Sequence, residues 1–413
     1  MTNKPIRVAV LGAGSRGQGF GQILAELPHL AQVVAVAEPR DAYREAFVAA
    51  HHLPAGQVFR TWEDFVAHPP SCDAVVISTL DRDHVGPAVA CLGQGLQLLL
   101  EKPMANTLED CRAIEAAQRK AGALVAVCHS LRYNKGFVTL REMVASGRIG
   151  EIVSVDQVEQ VGYLHQAHSF VRGNWGNEGR STFMLLAKSC HDLDYIAFLI
   201  DRPCRRVSSF GELNYFNRAH APAGATARCT DGCPVEATCP YSALKQYVYS
   251  DLNRWPADVV SPVHTREAHL EAIRTGPYGR CVYQCDNDVV DHQVVALDFE
   301  GDITATFTMT AFTQRGGRQI RVHGTEGEAY FDEHTIAVRS FGTNNVETTV
   351  LGAEVGGHGG GDNRVVRDWL DAIRLQAPEK IRTSAQESLR THTIVFAAER
   401  SRRNRRTIEI SGM

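Results

Sequence analysis

The stretch Ile6-Arg7-Val8-Ala9-Val10-Leu11-Gly12-Ala13-Gly14-Ser15-Arg16-Gly17 decides the fold. An apolar run of strand type enters a glycine turn directly, and a helix is expected from Arg16 to about Leu27. In such a strand–turn–helix unit Gly12 permits the tight turn and Gly14 lets the backbone approach a pyrophosphate. Gly17 allows close packing of helix on strand. The helix start at Ser15 and Arg16 offers unpaired backbone donors to negative charge. Glu38 follows the next strand, Gln32 to Ala37, where a carboxylate accepts bonds from both adenosine ribose hydroxyls and repels a ribose phosphate. Arg40 pulls the other way, since it can receive that phosphate. The turn therefore reads as a dinucleotide site for NAD, with NADP as the alternative.

Outward from this unit come further apolar segments at Ala74 to Ser78, Leu96 to Leu100 and Leu124 to Cys128. Thr61 with Asp64, and Thr107 with Asp110, are helix-starting pairs between them. Apolar strands separated by helices indicate a parallel sheet covered on both faces, an α/β Rossmann nucleotide-binding domain over residues 1–129. Beyond it the texture changes. Glu151 to Val161, Val207 to Tyr215, Val294 to Phe299, Ile303 to Thr310, Gln319 to His323 and Glu328 to Asp332 are rich in β-branched and aromatic residues and are joined by glycine turns. They predict an α+β domain over residues 130–413 with a large, open, predominantly antiparallel sheet. Returning helices are expected at Arg364 to Leu375 and Ala385 to Arg400.

At 413 residues, two domains are the natural division, and 44% hydrophobic with 22% charged residues is an ordinary globular balance. The net charge of -4 provides no overall basic field for nucleic acid. The basic run Arg400 to Arg406 reads as a solvated helix end. Leu96 to Leu100 is too short for a membrane span, and no leader is expected before the first strand. The expected compartment is cytoplasmic and reducing, where eleven cysteines need not form disulfides.

The crevice of a parallel sheet lies at the carboxyl ends of its strands. Glu101-Lys102-Pro103 follows the Leu96 strand, so Lys102 can reach a substrate hydroxyl beside the nicotinamide, and Pro103 disfavours a helical conformation at Lys102. Ser78, Thr79 and His84 follow the preceding strand and are candidate cofactor contacts, as is Glu101.

Together with Gly12 to Gly17, Glu101-Lys102-Pro103 and the histidine-bearing helix at His191 occur in an order that resembles the Gfo/Idh/MocA oxidoreductases. The resemblance covers nearly the whole chain. It implies a Rossmann domain followed by an open mixed-sheet domain, with a sugar, cyclitol or related polyol bound between them. In that family the helix commonly carries an aspartate four residues before the histidine. Here the position is Ala187, so the base cannot be assigned by carry-over. His191, Lys188 and Lys102 are the catalytic candidates. A neutral histidine suits proton removal near neutral pH, and a lysine steadies the developing alkoxide. Lys188 lies three residues before His191 and is expected to share its helix face.

Candidate substrate contacts are Arg132, Tyr133, His165, Arg172, Trp175 and Asp192, besides Lys188 and His191. Trp175 can cover the apolar face of a sugar. Asp194 reads equally as a substrate contact or an internal helix contact; His358 is a second possible cleft contact or part of a close glycine turn, with Asp362 or Asn363 capping the helix that follows.

Residues 218–286 form a cysteine-rich excursion. Cys229-x3-Cys233-x5-Cys239 is followed by Cys281-x3-Cys285, with several prolines and no obvious large core. A structural zinc on Cys229, Cys233, Cys239 and Cys281 is one reading, an iron–sulfur cluster another, and plain reduced thiols a third.

The leading functional expectation is NAD(P)-dependent hydride transfer at a secondary alcohol of a sugar, cyclitol or glycoside. An NAD-assisted glycosidase with transient oxidation and elimination is an alternative, and a nucleotide-responsive binding protein a third. An open sheet face points to a homo-oligomer.

Overall fold

The computed structural model describes residues 4–343 and 345–413. Six parallel strands form the first sheet: β1 (Ile6–Leu11), β2 (Ala31–Ala37), β3 (Val58–Phe59), β4 (Ala74–Ile77), β5 (Gln97–Leu100) and β6 (Val125–Val127). Their order is β3-β2-β1-β4-β5-β6, so the direction of winding reverses between β1 and β4. That reversal opens a crevice at the strand carboxyl ends. Gly12–Gly17, Ser78–Thr79 and Glu101–Lys102 all stand there. The strands are buried on both faces, which is why they read as continuous apolar runs rather than alternations.

The second sheet has nine strands in the order β14-β13-β12-β11-β7-β10-β9-β8-β15. They are β7 (Ile152–Gln160), β8 (Cys204–Glu212), β9 (His292–Phe299), β10 (Ile303–Thr310), β11 (Gly317–Gly324), β12 (Gly327–Phe331), β13 (Thr335–Ser340), β14 (Val346–Val350) and β15 (Ile408–Glu409). Only β7 and β10 pair in parallel; the other neighbours are antiparallel. One face packs on helices Cys190–Ile200 and Ala385–Asn404, and alternation along the strands follows from that. The strands β13 and β14 lie outside the segments expected from sequence. β14 is exposed along nearly its whole length and carries no inward apolar period.

Two local departures affect the site. The helical stretch expected around Leu185 to Leu199 is two helices, Met184–Ala187 and Cys190–Ile200. The first closes with Lys188 N–H donating to the Met184 carbonyl and Ser189 N–H to Leu185. The second starts with Asp192 N–H donating to Ser189. Lys188 and His191 therefore leave from different helices, and the shared helix face expected for them is not formed. Second, the nucleotide-domain core is not closed by its own segment of chain. Val365, Val366, Trp369 and Leu370, on the amphipathic helix Gly361–Leu375, join Phe20, Leu24 and Ala126 in one buried cluster. On the opposite face Ala385 enters the cluster of Leu100, Cys111 and Ile114. Truncating a fully buried tryptophan such as Trp369 costs about 3–5 kcal/mol, so these returning helices are integral to the nucleotide domain.

Candidate functional site

At the glycine turn, Gly12 has φ 87°, and a Cβ there would lie 2.6 Å from the Ser78 carbonyl oxygen. A Cβ on Gly17 would lie 1.9 Å from the Gly12 carbonyl oxygen, a severe overlap. Helix Ser15–Ala25 begins without any side-chain cap, leaving its first-turn donors facing the crevice. The turn is braced from behind, because Ser78 Oγ donates to the Gly12 carbonyl at 2.7 Å and Thr79 Oγ1 to Asp83 at 2.9 Å. These are the features a dinucleotide pyrophosphate requires.

Glu38 is buried. It accepts from Ala13 N–H at 2.8 Å, from Arg40 N–H at 3.0 Å and from the Arg40 guanidinium at 2.7 Å. Burial opposes its ionisation, but the Arg40 and Ala13 bonds prevail and hold the carboxyl below its ordinary value. Arg40 is exposed, lies 4.0 Å over the Tyr43 ring and is tied to Glu38. Arg16 is placed differently from the phosphate contact expected for it. Its Nε bonds Glu101 at 2.5 Å and its NH1 bonds Asp362 at 2.7 Å. His84 uses both ring nitrogens on backbone, at Pro103 (2.8 Å) and Thr79 (3.3 Å), and so ties the loops after β4 and β5 together.

Lys102 sits at the end of β5, its backbone N–H on Glu101 and its Nζ donating to the Ala187 carbonyl at 2.8 Å. His191 is buried beneath it with neither ring nitrogen hydrogen-bonded. Burial first, and the Lys102 charge second, hold the imidazole well below its ordinary pKa, so it is neutral. His165 borders the same cleft and is pushed down to about 2, by burial and then by Lys188.

Lys188 Nζ pairs with Glu159 at 2.8 Å, and the Arg318 guanidinium forms an ion pair with the second Glu159 oxygen at 3.0 Å, an oxygen that accepts no hydrogen bond. Arg318 also reaches Asp192 at 2.6 and 3.2 Å, and Gln157 donates to Asp192 at 2.6 Å. Asp192 is thus wholly occupied from behind and buried, which corrects the substrate contact expected for it. Burial, reinforced by Glu159, outweighs Arg318 and pushes Asp192 up to about 6.

Arg132, Tyr133 and Arg172 need the same correction. Arg132 makes a bidentate pair with Asp194, both bonds 2.8 Å, and also reaches the Arg382 carbonyl. Tyr133 Oη bonds Thr383 and Arg382. Arg172 is buried in the lobe, donating to the carbonyls of Arg280 and Tyr241, each at 2.7 Å. None of the three presents free donors to a cleft, because each closes an internal join. Trp175 donates its indole N–H to Asp81 at 2.8 Å and borders a cavity of about 700 Å³ with Arg82, Arg180, Arg228 and Arg280. None of the three catalytic candidates lines that cavity.

Cys229, Cys233, Cys239 and Cys281 line one small cavity in the lobe, with Cys285 outside its lining. All eleven cysteines are free thiols. Among the described residues, no group of three or more His, Cys, Asp or Glu side chains is arranged to hold a metal ion, so the expected closed tetrathiolate is not formed.

Several residues at the centre escaped the sequence reading. Glu159 and Arg318 are directly paired across β7 and β11. The alternation Val155, Gln157, Glu159, Val161 places two polar residues at inward positions, and that was their available signal. Buried His129 packs on His191 and buried His392 packs on His129, while His358, already a candidate from sequence, packs on His191 from another side. Ring centroids are 5.7 Å apart for His129–His191, 5.3 Å for His129–His392 and 5.2 Å for His191–His358. His358 in turn bonds Asp362 at 3.0 Å.

Residues 6–129 match a family model described as an oxidoreductase family, NAD-binding Rossmann fold, and residues 141–410 match its C-terminal alpha/beta domain. Putative oxidoreductase YteT of Bacillus subtilis is 26% identical over 318 residues, 72% of this chain and 71% of that protein. An inositol 2-dehydrogenase of Klebsiella pneumoniae is 28% identical over 204 residues, 49% of this chain and 56% of that enzyme, so here the match spans little over half the relative's length. The aldose-aldose oxidoreductase of Caulobacter crescentus superposes with a TM-score of 0.70 at 15% identity, covering 98% of this chain and 99% of that one, a likeness of fold. No helix among the described residues is long and apolar enough to cross a membrane.

Proposed function

The chain belongs to the Gfo/Idh/MocA oxidoreductase family, and we propose that it oxidises a secondary alcohol of a sugar, cyclitol or glycoside, with NAD as its preferred partner. The observation that carries this reading is the convergence of Lys102 and a neutral, unpartnered His191 at the strand ends beside the glycine turn. The inositol and aldose enzymes among its relatives support the substrate class.

The bound nicotinamide supplies the hydride acceptor. The uncapped helix at Ser15 holds the pyrophosphate and Glu38 the adenosine ribose. His191 accepts the hydroxyl proton as hydride leaves the same carbon, which leaves a carbonyl. Lys102 Nζ is turned toward the cleft by the Ala187 carbonyl and stabilises charge on that oxygen. Lys188 contributes a second donor, and His165 and Trp175 flank the sugar. The ionised Glu38 supports NAD over NADP, since a ribose phosphate would meet its charge and would need Arg40 released. The open sheet supports a homo-oligomer; its outer face carries Phe210, Val294 and Val153, all exposed.

The main test follows NADH formation over a panel of cyclitols, aldoses and glycosides. Turnover with NAD preferred over NADP is expected. Release of an aglycone without net NADH, or cofactor binding with no conversion of any panel member, counts against the reading.

A further inference from the structure

We propose that Glu159 is the carboxylate of the reaction centre, supplied from β7 where Ala187 leaves none, and that it positions Lys188 as a substrate-binding donor. This rests on the dehydrogenase reading above. Glu159 itself is buried at 1% exposure, whereas the Lys188 side chain is 18% exposed, so the ammonium reaches the cleft and its partner does not. The Glu159 oxygens are divided: Oε1 faces Lys188 at 2.8 Å and Oε2 faces Arg318 at 3.0 Å. Arg318 is the residue directly opposite Glu159 in the β7–β11 pairing, so its position is set by register. It is fixed again by Asp192 at 2.6 Å and by Glu333 at 3.6 Å.

The consequence for Lys188 is directional. An ammonium has three donors. Ion-paired with Glu159 at 2.8 Å on the sheet side, the ammonium keeps donors for the cleft, where the nearby His165 lies. Lys188 lies at the break between helices Met184–Ala187 and Cys190–Ile200, where no helix face dictates its direction. The anchor on β7 supplies it instead. Lys102 takes its direction from the adjoining Ala187 carbonyl. Two ammonium groups are thus aimed by consecutive residues of one segment, one through a main-chain oxygen and the other through a distant carboxylate. Glu159 is buried behind Lys188 and acts through that ammonium.

Glu159→Gln tests this, with Glu159→Asp and Lys188→Met alongside. On a panel sugar turned over by the wild type, Glu159→Gln is expected to lower kcat/KM by about ten- to a hundred-fold, carried chiefly by KM, with NADH affinity unchanged. The double variant Glu159→Gln/Lys188→Met is expected to be no worse than Lys188→Met alone, and Glu159→Asp to recover part of the loss. Unchanged KM in Glu159→Gln, or full additivity in the double variant, overturns the proposal. A second measurement needs neither substrate nor turnover. The rate at which Lys188 is reductively methylated, followed by peptide mass mapping, is expected to rise several-fold in Glu159→Gln while Lys120 and Lys380 keep theirs. An unchanged Lys188 rate overturns the positioning role. Altered labelling with no turnover on any sugar leaves Glu159 in place and defeats the dehydrogenase reading.

Discussion

Two arginines are buried in this molecule beside structures of opposite kind. Arg318 lies between Glu159 and Asp192, and both of its neighbours are carboxylates. Arg172, in the cysteine-rich lobe, meets carbonyls, an amide oxygen and a thiol. The contrast teaches that burying a cation does not by itself prescribe its counter-charge. Beside the cleft, the counter-charge is carried by groups whose protonation can change. In the lobe, neutral dipoles do the solvating, and only sulfur can add negative charge. The first arrangement makes a chemically responsive wall, the second a staple.

The largest separation between the two is expected from removing each guanidinium. Arg318→Leu leaves two buried carboxylates facing each other and should cost about 3–5 kcal/mol in denaturant unfolding. Arg172→Leu strands only neutral acceptors and should cost about 1–3 kcal/mol. Equal losses would erase the distinction.

A smaller effect lies in pH. Asp192 in the native chain is pushed up to about 6, above the ordinary carboxylate value. Across that window the native state binds more proton than the unfolded one, so Asp192 draws stability down as pH rises from about 4 to 6. Asp192→Asn should flatten this part of the stability–pH curve. Arg172→Asn should leave it as it is, and an identical slope in the wild type and Asp192→Asn would remove the responsive wall. The smallest effect belongs to an exposed pair. Arg180 meets Asp286 at the rim with its side chain 49% exposed, and Arg180→Ala should cost no more than about 1 kcal/mol. A loss matching that of Arg172→Leu would show that burial is not what divides the arginines.

Much of this fold was legible because it is written in contiguous residues. The strand, glycine turn and helix from Ile6 onward announce the parallel sheet, and Glu101-Lys102-Pro103 announces the crevice. The site was legible only as far as local sequence reaches. Local motifs single out Lys102 and His191 as candidates but not the partners of Lys188, since Arg318 lies far along the chain from Glu159 and only strand register brings them together. The helix break at Lys188–Ser189 was equally hidden, because apolar periodicity continues through it. Arg132, Tyr133 and Arg172 misled for a related reason. Their residue types suit sugar binding, but internal acceptors at Asp194, Thr383 and Tyr241 claim their donors first.

The return of helices Gly361–Leu375 and Ala385–Asn404 onto the first sheet has a consequence for biosynthesis. The nucleotide-binding segment leaves the ribosome well before the residues that complete it, and one face of its core lacks Trp369 and the other Ala385 until the intervening second sheet has been made. At roughly 5–20 residues per second that interval is on the order of tens of seconds. During it, apolar sheet faces are open to chaperones. A message truncated before Trp369 would yield a product without a finished nucleotide-domain core, so the returning helices act as a checkpoint on the sheet they close.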